Sequence, residues 1–368
     1  MKYKIFVINP GSTSTKIALF ENKNKIFAKS VSHDSRKLKS FKEIVEQLPY
    51  REEVINNILK EEKVSLEGTS AFAGRGGGLP PMHGGVFRVN QLMCDDAKVG
   101  LGVKHPGLLG PLLAKSFSEK FGGLPVIVNP PGTDELQPEA RITGFNDVFR
   151  ISRVHALNQK EVAIRYANKI GKKYEELRLV IAHMGGGISV TAHCLGKMID
   201  TVDISNGDGH MAPTRSGFIP AASLIKLCFS GKYSEDELQK RVNQTGGWID
   251  HLGTADCKEV ETLIDCGNDY AKLIYNATQY QIAKSIGAYA TVLCGNVDAI
   301  IFTGGLSNSE RFVSPIANMV KYIAPISIYP GEYEMEALAF GALRVLANEE
   351  RLFEYDGKPV WNGFDDLK

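Results

Sequence analysis

The sequence predicts an α/β protein made of two related domains. Three observations predict it. A strand–loop–strand–turn–strand pattern occurs twice, over residues 3–31 and again over 178–203. Each copy is followed by segments with apolar residues at helical spacing, the alternation of an α/β layered protein. The chain has 368 residues and is 43% hydrophobic, enough for two separate cores.

In the first copy, Ile5 to Ile8 is an apolar strand running into the polar loop Asn9-Pro10-Gly11-Ser12-Thr13. Lys16 to Phe20 and Lys25 to Ser30 follow as strands, with a turn over 21–24. In the second copy, Leu179 to Ala182 leads into His183-Met184-Gly185-Gly186-Gly187. Ile188 to His193 and Met198 to Val202 are its next strands. Overlaid, Asn9 meets His183 and Gly11 meets Gly185. Helices are predicted over Ser40 to Glu61, broken at Pro49, over Asn158 to Ile170 and over Asp269 to Leu293. A buried strand, Ala299 to Thr303, meets Gly304-Gly305, with a helix starting at Ser307. With no Pro-rich linker, short hinges near 145–155 and 325–340 are expected. They would give one domain of 1–150 plus about 335–368, and another of 151–334.

Composition narrows the function. Lys+Arg is 43 and Asp+Glu is 42, so no global basic excess points to nucleic acid or an anionic membrane. The six cysteines form no CxxC and no zinc-type cluster, and are expected to be reduced. No signal peptide pattern or apolar run of about 18 residues is present, so a cytoplasmic protein is expected.

Motifs exclude several chemistries. G-x-x-x-x-G-K-[ST], a strand-linked G-x-G-x-x-G, H-E-x-x-H and G-x-S-x-G are all missing. What remains is three small-residue loops, each after an apolar strand: 9–14, 183–187 and 304–305. Glycines let backbone N–H groups approach phosphate oxygens, and hydroxyls add donors. A single such turn commonly serves only backbone geometry; three, two of them at matching places in a repeat, point to anion binding. At the carboxyl ends of strands in two facing domains they would line one cleft.

Arg75 sits among glycines (Gly74, then Gly76 to Gly78), and Arg215 lies in Pro213-Thr214-Arg215-Ser216-Gly217. A guanidinium fork suits a carboxylate or phosphate, and cationic clamps stabilise a transferring phosphoryl group. His155 precedes a predicted helix and His183 ends a strand at the glycine loop. A neutral imidazole there can donate to a phosphoryl oxygen, although a structural role is the default for any one histidine. Glu332, Glu334 and Glu336 alternate before a helical run, and Asp134-Glu135 follows the strand 126–128. Carboxylates can serve Mg²⁺ bound to a nucleotide, and glutamates at a helix start are also ordinary complements to its dipole.

These motifs, together with His155-Ala156-Leu157-Asn158-Gln159-Lys160 and Tyr329-Pro330-Gly331-Glu332, occur in an order that resembles the acetate kinase family over essentially the whole chain. The butyrate kinase branch is the nearest part of it. The resemblance implies two RNase H-like domains of the actin-like ATPase fold around a nucleotide cleft. It implies ATP/ADP and Mg²⁺ as cofactors, a short-chain or branched carboxylate as substrate, and a homodimer or larger homo-oligomer. It places Asn9, Ser12, Thr13 and Lys16 at the phosphates, with Asn9 and Glu334 at the metal. Glu332 or Glu336 would replace Glu334 by a slip of two. It places Arg75 at the substrate carboxylate, His155 and Arg215 at the transferring phosphoryl, and His183, Gly185, Gly186 and Gly187 in a phosphate loop. Asp256 and Lys258 match a nucleotide contact, with Lys in place of Arg, and Gly304 and Gly305 match an adenosine loop.

The sequence departs from the family at Asn129, where the resemblance implies a catalytic aspartate. Asn129 orients a ligand, or Asp134 serves, or activity is reduced. Acetate kinases follow the substrate arginine with bulky aliphatics; here three glycines follow Arg75, and the missing side chains are expected to leave room for a longer acyl chain. An acetate or propionate kinase, and an ATP-binding regulatory homologue without catalysis, are the rival readings.

Overall fold

The computed structural model describes residues 1–101 and 105–364. They form two compact units, Met1–Asp134 with Tyr333–Lys368, and Glu135–Glu332. Residues 135–150, expected in the first domain, fold with the second unit. The cause is local: Gln137 N donates to Ile199 O, and the Glu135 carboxylate accepts from Met198 N at 2.8 Å.

The first unit holds β1 (Lys4–Pro10), β2 (Ser14–Glu21), β3 (Asn24–Ser32), β4 (Ala71–Gly74), β5 (Val86–Arg88) and β6 (Leu124–Val128). Its sheet runs β3-β2-β1-β4-β6-β5 and ends on a short strand, Leu352–Glu354. β1 to β3 are an antiparallel meander, and β4 and β6 add parallel. β1 is a continuous apolar run because it is central, covered on both faces. The helix Glu334–Leu346 packs on β1, β4 and β6. Its Gly341 lies so close to Val128 that an added Cβ would sit 2.5 Å from a valine methyl.

The second unit repeats the plan with β7 (Arg178–Met184), β8 (Ile188–Cys194), β9 (Lys197–Asp200), β10 (Ala299–Gly304) and β11 (Ile326–Pro330), in the order β9-β8-β7-β10-β11. The first three are again an antiparallel meander, and β10 and β11 again add parallel. The internal echo is therefore a shared topology. Asn9 and His183 both stand one residue before the end of the first strand of the meander, and both are buried. The helix Asp269–Val292, capped by the Asn268 side chain, packs on β7 and β8. Its inward face includes Ile274, Tyr275, Ile282 and Ile286, at helical spacing.

Three boundaries differ from the expectations. Pro49 starts a helix, Leu48–Glu61, as its second residue; a fixed proline φ suits a first turn. The expected start at Ser307 moves to Glu310–Val320, because Ser309 supplies the cap and 305–308 is a tight 3₁₀ turn. Helix Ala156–Lys169 begins two residues early, directly after His155. All six cysteines are free thiols, and no helix among the described residues is long and apolar enough to cross a membrane.

Candidate active site

The candidate residues fall into two groups, one in each unit. In the first unit β1 and β4 end side by side, which delivers Asn9 and Arg75 to neighbouring strand ends. Glu334 reaches them from the first turn of its helix. Arg75 Nη1 lies 2.7 Å from Glu334 Oε1 and 2.8 Å from Oε2, and Asn9 Nδ2 donates to Oε2 at 2.8 Å. The pair is largely shielded, which strengthens it over a surface ion pair. Of the three alternating glutamates, Glu336 is held by Lys25 at 2.7 Å instead.

The glycines around Arg75 have a packing reason. A Cβ on Gly74 would lie 2.2 Å from Gly110 O, and one on Gly77 would lie 2.7 Å from Gly107 C. A Cβ on Gly76 would lie 2.7 Å from Pro130 Cβ and 3.0 Å from Ile127 Cδ1. The start of helix Leu109–Phe121 and the end of β6 press on this loop. The expected acyl room beside these glycines is therefore already filled by protein, and they do not explain a longer substrate.

Sequence reasoning missed His105. Its Nδ1 accepts from Gly107 N at 3.0 Å and its Nε2 lies 3.4 Å from Ser12 Oγ. Partial desolvation of the ring, then the Arg75 charge, pushes its pKa down to about 4, with Glu334 opposing, although the residue as a whole is exposed. It is a neutral imidazole beside the arginine–glutamate pair. The available signal was a histidine directly before Pro106-Gly107, in a turn that opens a helix.

The hairpin between β1 and β2 carries exposed Ser12 and Thr13, with Lys16 exposed on β2 across from Asn9. It is tied by Gly11 N to Ser14 O and by His33 N to Thr13 O, both 2.8 Å. Behind it lies Arg51, fully buried, which donates to Gln47 Oε1, Ser14 O and Thr15 Oγ1. Burial lowers its pKa to about 10.

Asn129 takes a left-handed backbone, φ 38°, a conformation asparagine tolerates. Its Oδ1 accepts from Gly85 N at 2.8 Å while its own N donates to Gly85 O at 2.9 Å. Asp134 is buried and its N bonds Met82 O.

In the second unit, His155 and His183 stack face to face, with ring centroids 3.7 Å apart and planes at 11°. His183 Nδ1 lies 2.8 Å from Asn158 Nδ2, which also donates to Thr303 Oγ1 on β10 at 3.0 Å. The Pro213–Ser216 segment docks on the glycine loop: Thr214 N and Oγ1 both donate to Gly186 O. Arg215 then lies directly over Gly187, where a Cβ would be 2.2 Å from Nη1. Its Nε and Nη1 are buried with no hydrogen-bond partner among the described residues. Burial lowers its pKa, with Asp203 opposing. Gly304, φ 88°, abuts Met184 O and exchanges two 3.0 Å backbone bonds with Gly331. Gly305 is exposed in open space. Asp256 and Lys258 lie on the surface, where the Asp256 carboxylate caps helix Cys257–Asp265 by accepting from Lys258 N and Glu259 N.

The second group fits a phosphate: an orphaned buried guanidinium faces a glycine cradle that any side chain would fill. The first group offers one carboxylate, Glu334, and the amide oxygen of Asn9; no cluster of three acidic, His or Cys ligands exists among the described residues. That suits Mg²⁺ only in the mode where phosphate oxygens and waters complete the shell.

This chain belongs to the acetokinase family. Residues 148–329 match the model of that family, and full-length relatives extend the match across both units. Those relatives are butyrate kinases. The chain is 45% identical to butyrate kinase 2 of Clostridium acetobutylicum over 96% of this chain and 100% of that protein. It is 43% identical to butyrate kinase 1 of the same organism, over 96% and 99%. Among solved structures, it resembles acetate kinase of Porphyromonas gingivalis, with TM-score 0.77, 20% identity, and 94% and 100% coverage. It also resembles a propionate kinase of Francisella tularensis, with TM-score 0.69, 20% identity, and 92% and 98% coverage. The duplicated α/β topology is thus the actin-like ATPase fold of acetate kinases.

Proposed function

We propose that this protein is a butyrate kinase. It transfers the γ-phosphoryl group of ATP reversibly to a short-chain or branched carboxylate such as butyrate or isobutyrate, giving an acyl phosphate and ADP. A carboxylate oxygen forms the new bond to phosphorus as the bond to the ADP oxygen breaks. The substrate is ionised at neutral pH and needs no protein base, so Asn129 in place of an aspartate is compatible with turnover. Mg²⁺, when bound, neutralises phosphate charge.

The observation that carries the reading is Arg215, whose Nε and Nη1 are buried over the Gly187 backbone with no hydrogen-bond partner among the described residues. A cation so placed favours charge that develops on equatorial phosphoryl oxygens. His155 and His183 add neutral donors in the same unit. Gly186 and Gly187 supply backbone N–H groups in a loop closed by Gly185 N donating to Gly187 O at 3.1 Å, Asn9, Ser12, Thr13 and Lys16 contact phosphates, and Gly304 and Gly305 border adenosine. Arg75 holds the substrate carboxylate, and Glu334 with Asn9 holds the metal. Glu334 already grips one edge of Arg75, so it also fixes the fork that meets the substrate. The full-length likeness to butyrate kinases supports the substrate class.

The test is the Arg215→Ala variant with Mg-ATP and butyrate, with acyl phosphate trapped as hydroxamate. The reading expects kcat to fall on the order of 1000-fold with nucleotide affinity nearly kept. Equal loss of both would contradict the role of Arg215. A wild-type protein that binds ATP but forms no acyl phosphate would be a regulatory homologue.

A further inference from the structure

We propose that Tyr174, His193, Gln159 and Ser189 form a hydrogen-bond chain of fixed polarity that holds His155 in its Nε2–H tautomer. The inference rests on the reading of His155 as a neutral donor in phosphoryl transfer.

The polarity follows link by link. Gln159 Nε2 lies 3.2 Å from the Ser189 backbone carbonyl, which only accepts, so the amide nitrogen must face Ser189. The amide oxygen therefore faces His193 Nε2 at 3.0 Å, and that nitrogen must carry hydrogen. His193 is fully buried and neutral, since burial holds its pKa well below the usual value, with the Lys160 charge adding to this. Its Nδ1 is then an acceptor, and Tyr174 OH donates to it at 2.7 Å. At the other end, the same Gln159 nitrogen donates to Ser189 Oγ at 2.8 Å. Ser189 is fully buried, and among the described residues its hydroxyl hydrogen has one acceptor, His155 Nδ1 at 2.9 Å. His155 Nδ1 is thereby an acceptor, and its hydrogen sits on Nε2.

A second, shorter chain treats His183 the same way. Thr303 Oγ1 donates to Gly331 O at 3.3 Å, so it accepts from Asn158 Nδ2. That amide nitrogen also faces His183 Nδ1, which must accept, leaving the hydrogen on Nε2. His183 Nε2 adjoins the glycine loop, 3.3 Å from where a Gly185 Cβ would stand. The two stacked rings thus share one tautomer. Ser189, Gln159 and His193 are positioning residues: they act on the reaction through His155. Such supporting shells keep reactive groups in orientation and tautomer.

The test uses the full chain with ¹⁵N-labelled histidine, whose ring-nitrogen shifts report the tautomer directly, beside steady-state kinetics with Mg-ATP and butyrate. Wild type is expected to show His155 protonated at Nε2; protonation at Nδ1 overturns the proposal without any variant. Ser189→Ala is expected to mix the tautomers and lower kcat on the order of 10- to 100-fold, with both KM values within about twofold. Gln159→Met, one link further out, is expected to do the same more weakly. A kcat loss without a tautomer change overturns the chain and leaves the catalytic reading of His155 standing. A tautomer change at wild-type kcat upholds the chain and sinks that catalytic reading.

Discussion

Gly187→Ala separates catalysis from folding at the proposed phosphate loop. The new Cβ would lie 2.2 Å from Arg215 Nη1 and 2.7 Å from Cζ, against an ordinary contact of 3.4–4 Å. The obstacle is the tip of a flexible side chain, and Gly187 has no positive φ, so the backbone accepts alanine. The guanidinium must retreat by about 1 Å, a misplacement that costs roughly 100-fold in rate. That is about 2.7 kcal/mol of transition-state stabilisation. Hydroxamate-trapped acyl phosphate gives kcat, and a thermal melt gives stability. The expected pair is a 100-fold lower kcat and a Tm within about 2 °C of wild type. Wild-type kcat in this variant would refute the placement of Arg215 over Gly187 as the source of its function.

Asn129→Asp keeps an acceptor for Gly85 N and a residue that tolerates the left-handed backbone. Its kcat should stay within about threefold, whereas a large gain would show that the missing aspartate limits turnover. Arg51→Met strands Gln47 Oε1 in the core and leaves Thr15 Oγ1 with His33 as its remaining side-chain partner. It should cost about 2 kcal/mol, or roughly 4–8 °C in Tm, and should raise KM for ATP through the loosened hairpin; an unchanged KM would detach Arg51 from the loop. His210 is held near pKa 4 by burial, with Asp208 opposing, so its native form is neutral. The unfolded imidazole binds its proton near pH 6.5. Stability from this site is thus complete above about pH 6.5 and is lost as pH falls toward 4. Tm measured across that window should fall more gently in His210→Gln than in wild type; parallel curves would disprove the linkage.

The fold was legible where period and punctuation agree. β1 and β7 are apolar runs ending in small-residue loops, and their repetition exposed the duplicated sheet. Arg75, Arg215 and the glycine loop were legible because arginine among glycines has no packing explanation of its own. The glycines after Arg75 misled, because their cause is a tertiary approach by Gly107 and Pro130 that sequence spacing cannot show. His105 was invisible for the same reason: its neighbours are Ser12 and Arg75, distant in the chain. Residues 135–150 went to the wrong domain because side-chain and backbone bonds to β9, not composition, decide where they fold.

The proposed activity is carboxylate phosphorylation with butyrate preferred. The direct measurement is kcat/KM for acetate, propionate, butyrate and isobutyrate with Mg-ATP, read as acyl phosphate. One CH₂ is worth about 0.8 kcal/mol, roughly fourfold, so the expected result is a graded rise from acetate to the four-carbon acids. Highest efficiency with acetate would contradict the account.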